Sequence, residues 1–148
     1  MIITFCGHSD FFGAHDKEAR LLSLLETRVG NEDAQMYLGG YGAFDAFAYA
    51  CCKKYKETHP RVRLVYVTPY MRAEHLAGKK GLYDEILYPP IEDKPMRFAI
   101  SYRNQYMAEH ADLVIAYIDH TWGGAYRTYL HAKRKGKVIY NLADLKEK

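Results

Sequence analysis

Continuous apolar runs alternate along the chain with longer segments in which apolar residues recur at helical spacing. The clearest run occupies residues 113–118 (LVIAYI), whose lack of polar alternation is typical of a strand buried on both faces. A helix follows, with Ala125, Tyr129 and Ala132 along one side, and residues 138–140 begin another strand. This stretch therefore predicts a β-α-β unit with a right-handed crossover.

The same two patterns extend over the rest of the chain. Further strands are predicted at residues 2–6, 35–38, 63–67 and 85–88. Helices are predicted at residues 16–29, 43–58 and 94–110. The inner positions of the last helix are expected to be Met96, Ile100, Tyr106 and Met107. The segment 71–81 is predicted to be a short exposed helix or lid, and the residues after Ala143 to be a frayed end.

The alternation of strands and helices predicts the fold class. We expect one α/β domain over residues 1–148, built as a Rossmann-like doubly wound parallel sheet between two helix layers, a three-layer αβα arrangement. In such an open sheet, the loops at the carboxyl ends of the strands line one crevice.

Composition narrows the class of protein further. Hydrophobic residues make up 49% of the chain, enough for one core, and the formal charge of +3 comes from scattered basic residues. That charge argues against a dedicated nucleic-acid surface but suits small anionic ligands. Cys6, Cys51 and Cys52 have no metal-ligand spacing and are expected to be buried free thiols. Since no apolar run approaches the ~18 residues of a membrane helix, we expect a cytoplasmic protein that does not enter membranes.

Three polar loops follow predicted strands and are the main candidates for a ligand site. They are Gly7-His8-Ser9, Gly39-Gly40-Tyr41-Gly42 and Trp122-Gly123-Gly124. The last loop opens a helix, where free N–H groups converge and glycine leaves room for a phosphate. Thr68 ends another strand at the same predicted edge. The loops favour a nucleotide-like ligand; the alternative is that they are only structural turns. Neither a Walker A loop nor GxGxxG is present.

Several polar side chains could act on such a ligand. Arg103 could make a bidentate contact to a phosphate or carboxylate, and Asn104 next to it is a second candidate. The alternative for both residues is that they lie on a solvated helix face. Trp122 could stack on a base or cover the end of the sheet. Asp119 and His120 are candidates for ribose contacts or acid–base work. His8 and Asp45 are further acid–base candidates, although a turn histidine is more often a hydrogen-bonding residue, and Asp45 could instead complement a helix dipole.

Four of these motifs, in their order along the chain, resemble the SLOG superfamily. This Rossmann-like group includes the LOG-type "lysine decarboxylase-like" phosphoribohydrolases and the Smf/DprA domains, and the resemblance is greatest to its small YpsA-like branch. Residues 5–9 (FCGHS) resemble the first-strand "CGS" turn, and residues 37–44 (YLGGYGAF) resemble the "YGGGxxGLM" loop. Residues 102–107 (YRNQYM) resemble the helix that supplies an arginine, here Arg103. Residues 122–125 (WGGA) stand where LOG enzymes carry "PGGxGTxxE".

The last motif departs from the family pattern. LOG enzymes place a catalytic glutamate one turn into the helix, where this chain has Tyr129 and Leu130. Cleavage of an N-glycosidic bond needs a carboxylate to stabilise charge or activate water, and Asp119, Asp45 or His8 would have to replace it. The resemblance therefore supports the pocket more than the hydrolysis, and whether the protein is an enzyme stays open.

The sequence thus leads to one main hypothesis and two alternatives. The main one is a protein that binds a nucleotide or nucleotide-derived ligand, such as an ADP-ribose-like molecule or a nucleoside monophosphate. The second is a nucleotide N-glycosidase, either a phosphoribohydrolase or an enzyme like the nucleoside deoxyribosyltransferases. The third is a nucleic-acid-binding module, and the modest charge weighs against it. We expect no cofactor and no metal site, and we expect a homo-oligomer that assembles through helices flanking the sheet.

Overall fold

The strands form one parallel sheet. A computed structural model describes residues 1–12 and 14–143, so the frayed end expected after Ala143 lies outside the described residues. In the described part, the strands are β1 Ile2–Gly7, β2 Ala34–Leu38, β3 Val62–Val67, β4 Glu85–Leu87, β5 Leu113–Tyr117 and β6 Val138–Asn141. Their spatial order is β4-β3-β2-β1-β5-β6, and every neighbouring pair is parallel.

Helices connect the strands, as the alternating patterns predict. They are α1 Ala14–Arg28, α2 Gly42–Lys56, α3 Ala73–Ala77, α4 Ala99–His110 and α5 Gly124–Arg134. The predicted lid region contains only the short α3, with no buried residue in it. The helices and strands fall within a few residues of the predicted ranges, except at the start of α4.

The predicted helix at residues 94–110 begins later than expected. Pro95 is extended, Met96–Phe98 form a 3₁₀ turn, and regular helix starts only at Ala99. Because a 3₁₀ turn has a different periodicity, Met96 is carried off the inner face. The prediction of Met96 and Ile100 as inner positions is wrong: they are 63% and 37% exposed. Met107 is buried as expected.

Each face of the sheet packs against a pair of helices. On one face, Phe5 and Met36 belong to a core with Leu21 and Leu25 of α1 and Phe44 of α2. On the other face, a second group of buried residues joins the sheet to α4 and α5: Cys6, Val114 and Ala116 from the strands, and Ala108 and Ala132 from the helices. Side chains of successive strand residues point to opposite faces, so the continuous apolar runs supply both cores. The predicted Rossmann-like three-layer αβα fold is confirmed.

The strand order places a topological switch point beside β1. From β1 the chain moves outwards through β2, β3 and β4 on one side, and β5 and β6 extend the sheet on the other side. The connections after β1 and β5 therefore diverge, which leaves a crevice outside the carboxyl ends of these two strands. Among the described residues, no helix is long and apolar enough to cross a bilayer.

Candidate functional site

A cavity of about 390 Å³ opens at this switch point. Its size lies within the range of small-molecule sites, ~300–1,000 Å³. It brings together most of the predicted ligand-binding residues: Gly7, His8, Ser9, Tyr41, Arg103, Asn104, His120, Trp122, Gly123 and Gly124. Asp45 also lines it. The loops after β1 and β5 and the start of α2 therefore converge at one edge, as the parallel sheet predicts.

The loops after β1 and β5 meet through a cluster of His8, Asp119 and His120. The His8 and His120 rings stack with centroids 3.5 Å apart and planes within 11° of parallel. The backbone N–H of Asp119 donates to His8 Nε2 at 3.2 Å. Asp119 Oδ1 lies 2.7 Å from His120 Nδ1 and 3.4 Å from His8 Nε2. Asp119 thus contacts both imidazoles and is turned towards them; it does not line the cavity.

The surroundings of His8 favour its neutral form. Burial lowers its pKa first, the adjacent His120 lowers it further, and Asp119 and Asp10 oppose both effects only in part. The hydrogen bond from Asp119 N–H agrees with this direction, because a ring nitrogen that accepts an N–H carries no proton. His8 is therefore a neutral hydrogen-bonding group at pH 7, consistent with the alternative weighed for a turn histidine.

The amino-terminal turn of α5 forms one wall of the cavity. Gly123 has φ of +94°, which favours glycine, and the first helical bond runs from Arg127 N–H to the Gly123 carbonyl. The N–H groups of Gly124, Ala125 and Tyr126 precede that bond and belong to the turn that lacks helical acceptors. A side chain at Gly124 would meet only the Arg127 guanidinium, 3.9 Å away, so the space beside this turn is open. The turn can accept an anion.

Asp45 and Arg103 form the polar floor of the cavity. Arg103 is only 2% exposed. Its Nη1 donates to the carbonyls of Gly39 and Val67, both at 2.8 Å, and its Nε donates to Asn104 Oδ1 at 2.9 Å. Arg103 is therefore not on a solvated helix face: it ties the ends of β2 and β3 to α4. Much of its donor capacity serves the fold before any ligand binds.

Asp45 is the most strongly perturbed carboxyl group in the cavity. Its Oδ2 accepts the N–H of Tyr41 at 3.0 Å. Burial raises the pKa of Asp45 from 3.8 to about 6, and the Tyr41 N–H and the Arg103 guanidinium oppose that rise only in part. A carboxyl group with a pKa near neutrality can exist in both forms at physiological pH and can move a proton. Asp45 has the chemistry that the sequence hypothesis of catalysis requires.

Some predicted ligand-binding residues lie outside the cavity lining, namely Gly39, Gly40, Gly42 and Thr68. At Gly40, φ is +65° and a Cβ would lie 2.8 Å from the Tyr66 ring. At Gly42, φ is +88° and a Cβ would lie 2.8 Å from Ser9 Cα. These glycines allow loops to pack closely on each other. Thr68 is buried and hydrogen-bonds within its own turn, to Tyr70.

Other lining residues were missed by the sequence reasoning: Phe5, Cys6, Asp10, Ile100, Met107, Ala125 and Thr128. Most are apolar residues, which a search for polar loops passes over. Cys6 Sγ lies 3.3 Å from the Ala125 carbonyl and so links β1 to α5. Burial raises the pKa of Cys6 to about 12, so this thiol is not a nucleophile. Asp10 could have been found by extending the Gly7-His8-Ser9 turn by one residue.

Two aromatic residues border the mouth of the cavity. Tyr41 is 64% exposed and Trp122 is 68% exposed, although both side chains are large and apolar. The Trp122 ring centroid lies 4.0 Å from that of His120, which itself stacks on His8. The exposed Trp122 ring, whose plane is tilted 34° from that of His120, offers a flat surface beside the open turn of α5.

The structure defines a Rossmann-like α/β protein with a cavity of about 390 Å³ at its topological switch point, and known proteins share that fold. No protein-family model matches the chain. It is similar to the uncharacterized SPbeta prophage-derived protein YoqJ of Bacillus subtilis strain 168, with 25% identity over 135 residues, 78% of this chain and 79% of YoqJ.

Solved structures give the same result for the fold. DNA processing protein A (DprA) from Streptococcus pneumoniae superposes with a TM-score of 0.63 at 16% identity, covering 93% of this chain and 48% of DprA. DprA from Helicobacter pylori, whose structure describes a single-stranded DNA binding mode, superposes with a TM-score of 0.63 at 16% identity. The match covers 94% of this chain and 63% of the Helicobacter chain. TM1055 superposes with a TM-score of 0.60 at 13% identity, covering 93% of this chain and 71% of the TM1055 chain.

These comparisons confirm the fold that the resemblance to the SLOG superfamily implies. The YpsA-like branch is not singled out by them. This chain spans about half of the pneumococcal DprA and less than two thirds of the Helicobacter protein, so their whole activities do not transfer with the fold.

Proposed function

We propose that the protein binds a nucleotide or a nucleotide-derived small molecule in the cavity at the switch point. The observation that carries this proposal is the juxtaposition of the open amino-terminal turn of α5 with the exposed ring of Trp122. The N–H groups of the turn suit a phosphate, and the Trp122 ring suits a base. Both line the same cavity of about 390 Å³, which is large enough for a small molecule. The fold neighbours agree with a nucleotide-like or nucleic-acid ligand.

The proposed ligand contacts follow from this geometry. A phosphate would accept the N–H groups at Gly124 and Ala125, where glycine leaves the approach open. The base or sugar would lie against Trp122 or Tyr41 at the mouth of the cavity. Arg103 contributes chiefly by holding the floor, since it already donates to the Gly39 and Val67 carbonyls.

Native mass spectrometry of the purified protein tests the proposal. We expect part of the protein to carry a retained nucleotide, and a denatured sample of the same preparation to release it at a mass that identifies it. Protein that retains nothing, and that binds no member of a panel of mono- and dinucleotides in calorimetry, would contradict the proposal.

A second candidate function is hydrolysis of the ligand's N-glycosidic bond, which the perturbed pKa of Asp45 favours. Asp45 lines the cavity and could activate water or stabilise an oxocarbenium-like charge. If this function is correct, the protein should release free base from a nucleoside monophosphate, and Asp45→Asn should lower turnover by about 100-fold. If the wild-type protein binds the nucleotide but releases no free base, hydrolysis is contradicted and only the binding function remains.

A third candidate is binding of single-stranded nucleic acid, favoured by cations and aromatic rings at the same edge. Guanidinium or ammonium groups lie over aromatic rings that are at least partly exposed in three pairs: Arg72 over Tyr70, Lys94 over Tyr102 and Arg97 over Phe98. Backbone-tracking cations beside stacking rings are typical of such binders. Binding of oligo-dT that weakens steeply with salt and is not displaced by mononucleotides would favour this function over the first.

A further inference from the structure

The His8, Asp119 and His120 cluster has a second feature besides its position at the cavity. His8 Nε2 accepts the N–H of Asp119 and therefore carries no proton of its own. Asp119 Oδ1 lies 3.4 Å from that nitrogen. An ion bound between these two atoms would take the single lone pair of His8 Nε2 in place of the Asp119 N–H and would have a carboxylate oxygen beside it.

His120 supplies a third donor atom at the same point. Its Nδ1 lies 2.7 Å from Asp119 Oδ1, and one ligand atom from each of the three residues lies within 4.8 Å of the others. Two imidazole nitrogens and one carboxylate oxygen make a mixed donor set. Such sets suit zinc, iron, cobalt or nickel, whereas magnesium and calcium prefer oxygen ligands alone.

We propose that His8, Asp119 and His120 bind one divalent transition-metal ion at the wall of the cavity. Three protein ligands leave further coordination positions, and these would face the cavity, which His8 and His120 line. No metal site is expected from local spacing along the sequence, because the three ligands are not all close together in it. His8 precedes Asp119 by 111 residues, and only the pairing of β1 with β5 brings them together.

One of the two stacked rings has to turn before both can coordinate the same ion. With planes 11° from parallel, the in-plane lone pairs of His8 and His120 run side by side and cannot both point at one ion. His120 is the ring that turns on binding, because it lies on the loop between β5 and α5 whereas His8 is buried. Trp122 packs 4.0 Å from His120 and moves with it.

The test uses metal alone, so it does not depend on the proposed nucleotide. Tag-free protein is stripped with chelator and titrated with ZnCl₂ by calorimetry, while the fluorescence of Trp122, the single tryptophan of the chain, is followed. We expect one ion per chain and a change in Trp122 emission that saturates at the same ratio. Cobalt substitution should give a visible spectrum of coordinated ion, and magnesium should not compete with zinc.

Variants separate the site from adventitious binding. His120→Ala removes a ligand and Asp119→Asn removes the carboxylate charge, both at partly exposed side chains, and each should weaken zinc binding by at least about tenfold. His131→Ala is the matched control, because His131 Nε2 lies 2.8 Å from Glu109 Oε1 in a histidine–carboxylate pair outside the cluster. Circular dichroism confirms the fold of each variant.

The outcomes are distinct. Loss of binding in His120→Ala and Asp119→Asn with retention in His131→Ala supports the site. No uptake by the wild-type protein, equal affinity in His120→Ala, or equal binding of magnesium would overturn it. Nucleotide binding by chelator-treated protein is measured separately, so the two proposals can fail independently.

Discussion

Replacement of Asp45 by asparagine should change how the stability of the protein depends on pH. Burial raises the pKa of Asp45 from 3.8 to about 6, so the folded state holds its proton more tightly than the unfolded state does. Each tenfold change in proton affinity is worth ~1.4 kcal/mol, which gives about 3 kcal/mol for ionising Asp45 in the folded protein. Residual solvent contact at the cavity reduces this figure, so we expect ~1–3 kcal/mol.

The sign follows from the protons bound in each state. Between pH 3.8 and about 6 the folded state binds more protons than the unfolded state, so the wild-type protein loses stability as pH rises through this window. Asparagine keeps an oxygen that can accept the Tyr41 N–H but cannot ionise. Asp45→Asn should therefore equal the wild type near pH 4 and exceed it at pH 8, with a melting temperature higher by about 2–12 °C.

Urea unfolding of both proteins from pH 4 to pH 8 measures this difference. Asp84→Asn is the control, because the pKa of Asp84 is shifted in the opposite direction to that of Asp45. Burial alone would raise the pKa of Asp84, but the Leu64 N–H and the Lys56 ammonium lower it overall. Asp84 therefore contributes stability above its ordinary pKa and loses it as pH falls. A constant difference between Asp45→Asn and the wild type across the whole range would refute the assignment of a raised pKa to Asp45.

Other predictions concern binding, folding and assembly. Trp122→Ala should weaken ligand binding by ~1–3 kcal/mol in calorimetry without changing the melting temperature, since a stacking surface is lost from an exposed position; unchanged affinity would place the base elsewhere. Arg103→Ala should lower the free energy of unfolding by ~3 kcal/mol or more, because buried carbonyls of Gly39 and Val67 lose their donor; a purely ligand-binding arginine would leave stability unchanged. Light scattering at micromolar concentration should give an oligomer mass, and a monomer mass would count against assembly through the flanking helices.

The fold could be predicted from the sequence because its signals are local. Residues 113–118 read as a buried strand, and β5 runs over Leu113–Tyr117. The helix after it was recognised from its spacing and from Gly136, which ends it with φ of +71°. The start of α4 was missed, since apolar spacing continued through residues that Pro95 places in a 3₁₀ turn.

The site could be predicted only in part because its geometry depends on contacts between distant segments. The loops at Gly7 and Gly123 were found, since strand ends of a parallel sheet share one edge. The role of Gly40 could not be found, because it is set by the approach of Tyr66 from β3. The burial of Arg103 and the stacking of His8 on His120 likewise depend on neighbours that no sequence spacing reveals.

The open turn of α5 carries the central claim, and Gly124 is the residue where it can be tested most directly. A Cβ there meets only the flexible end of Arg127, so Gly124→Val should fold, but the valine side chain occupies the approach to the N–H groups. The decisive measurement compares the nucleotide bound by wild-type protein and by Gly124→Val in native mass spectra recorded under the same conditions. We predict bound nucleotide in the wild type and almost none in Gly124→Val. Equal occupancy in the two folded proteins would contradict the account and place the ligand away from this turn.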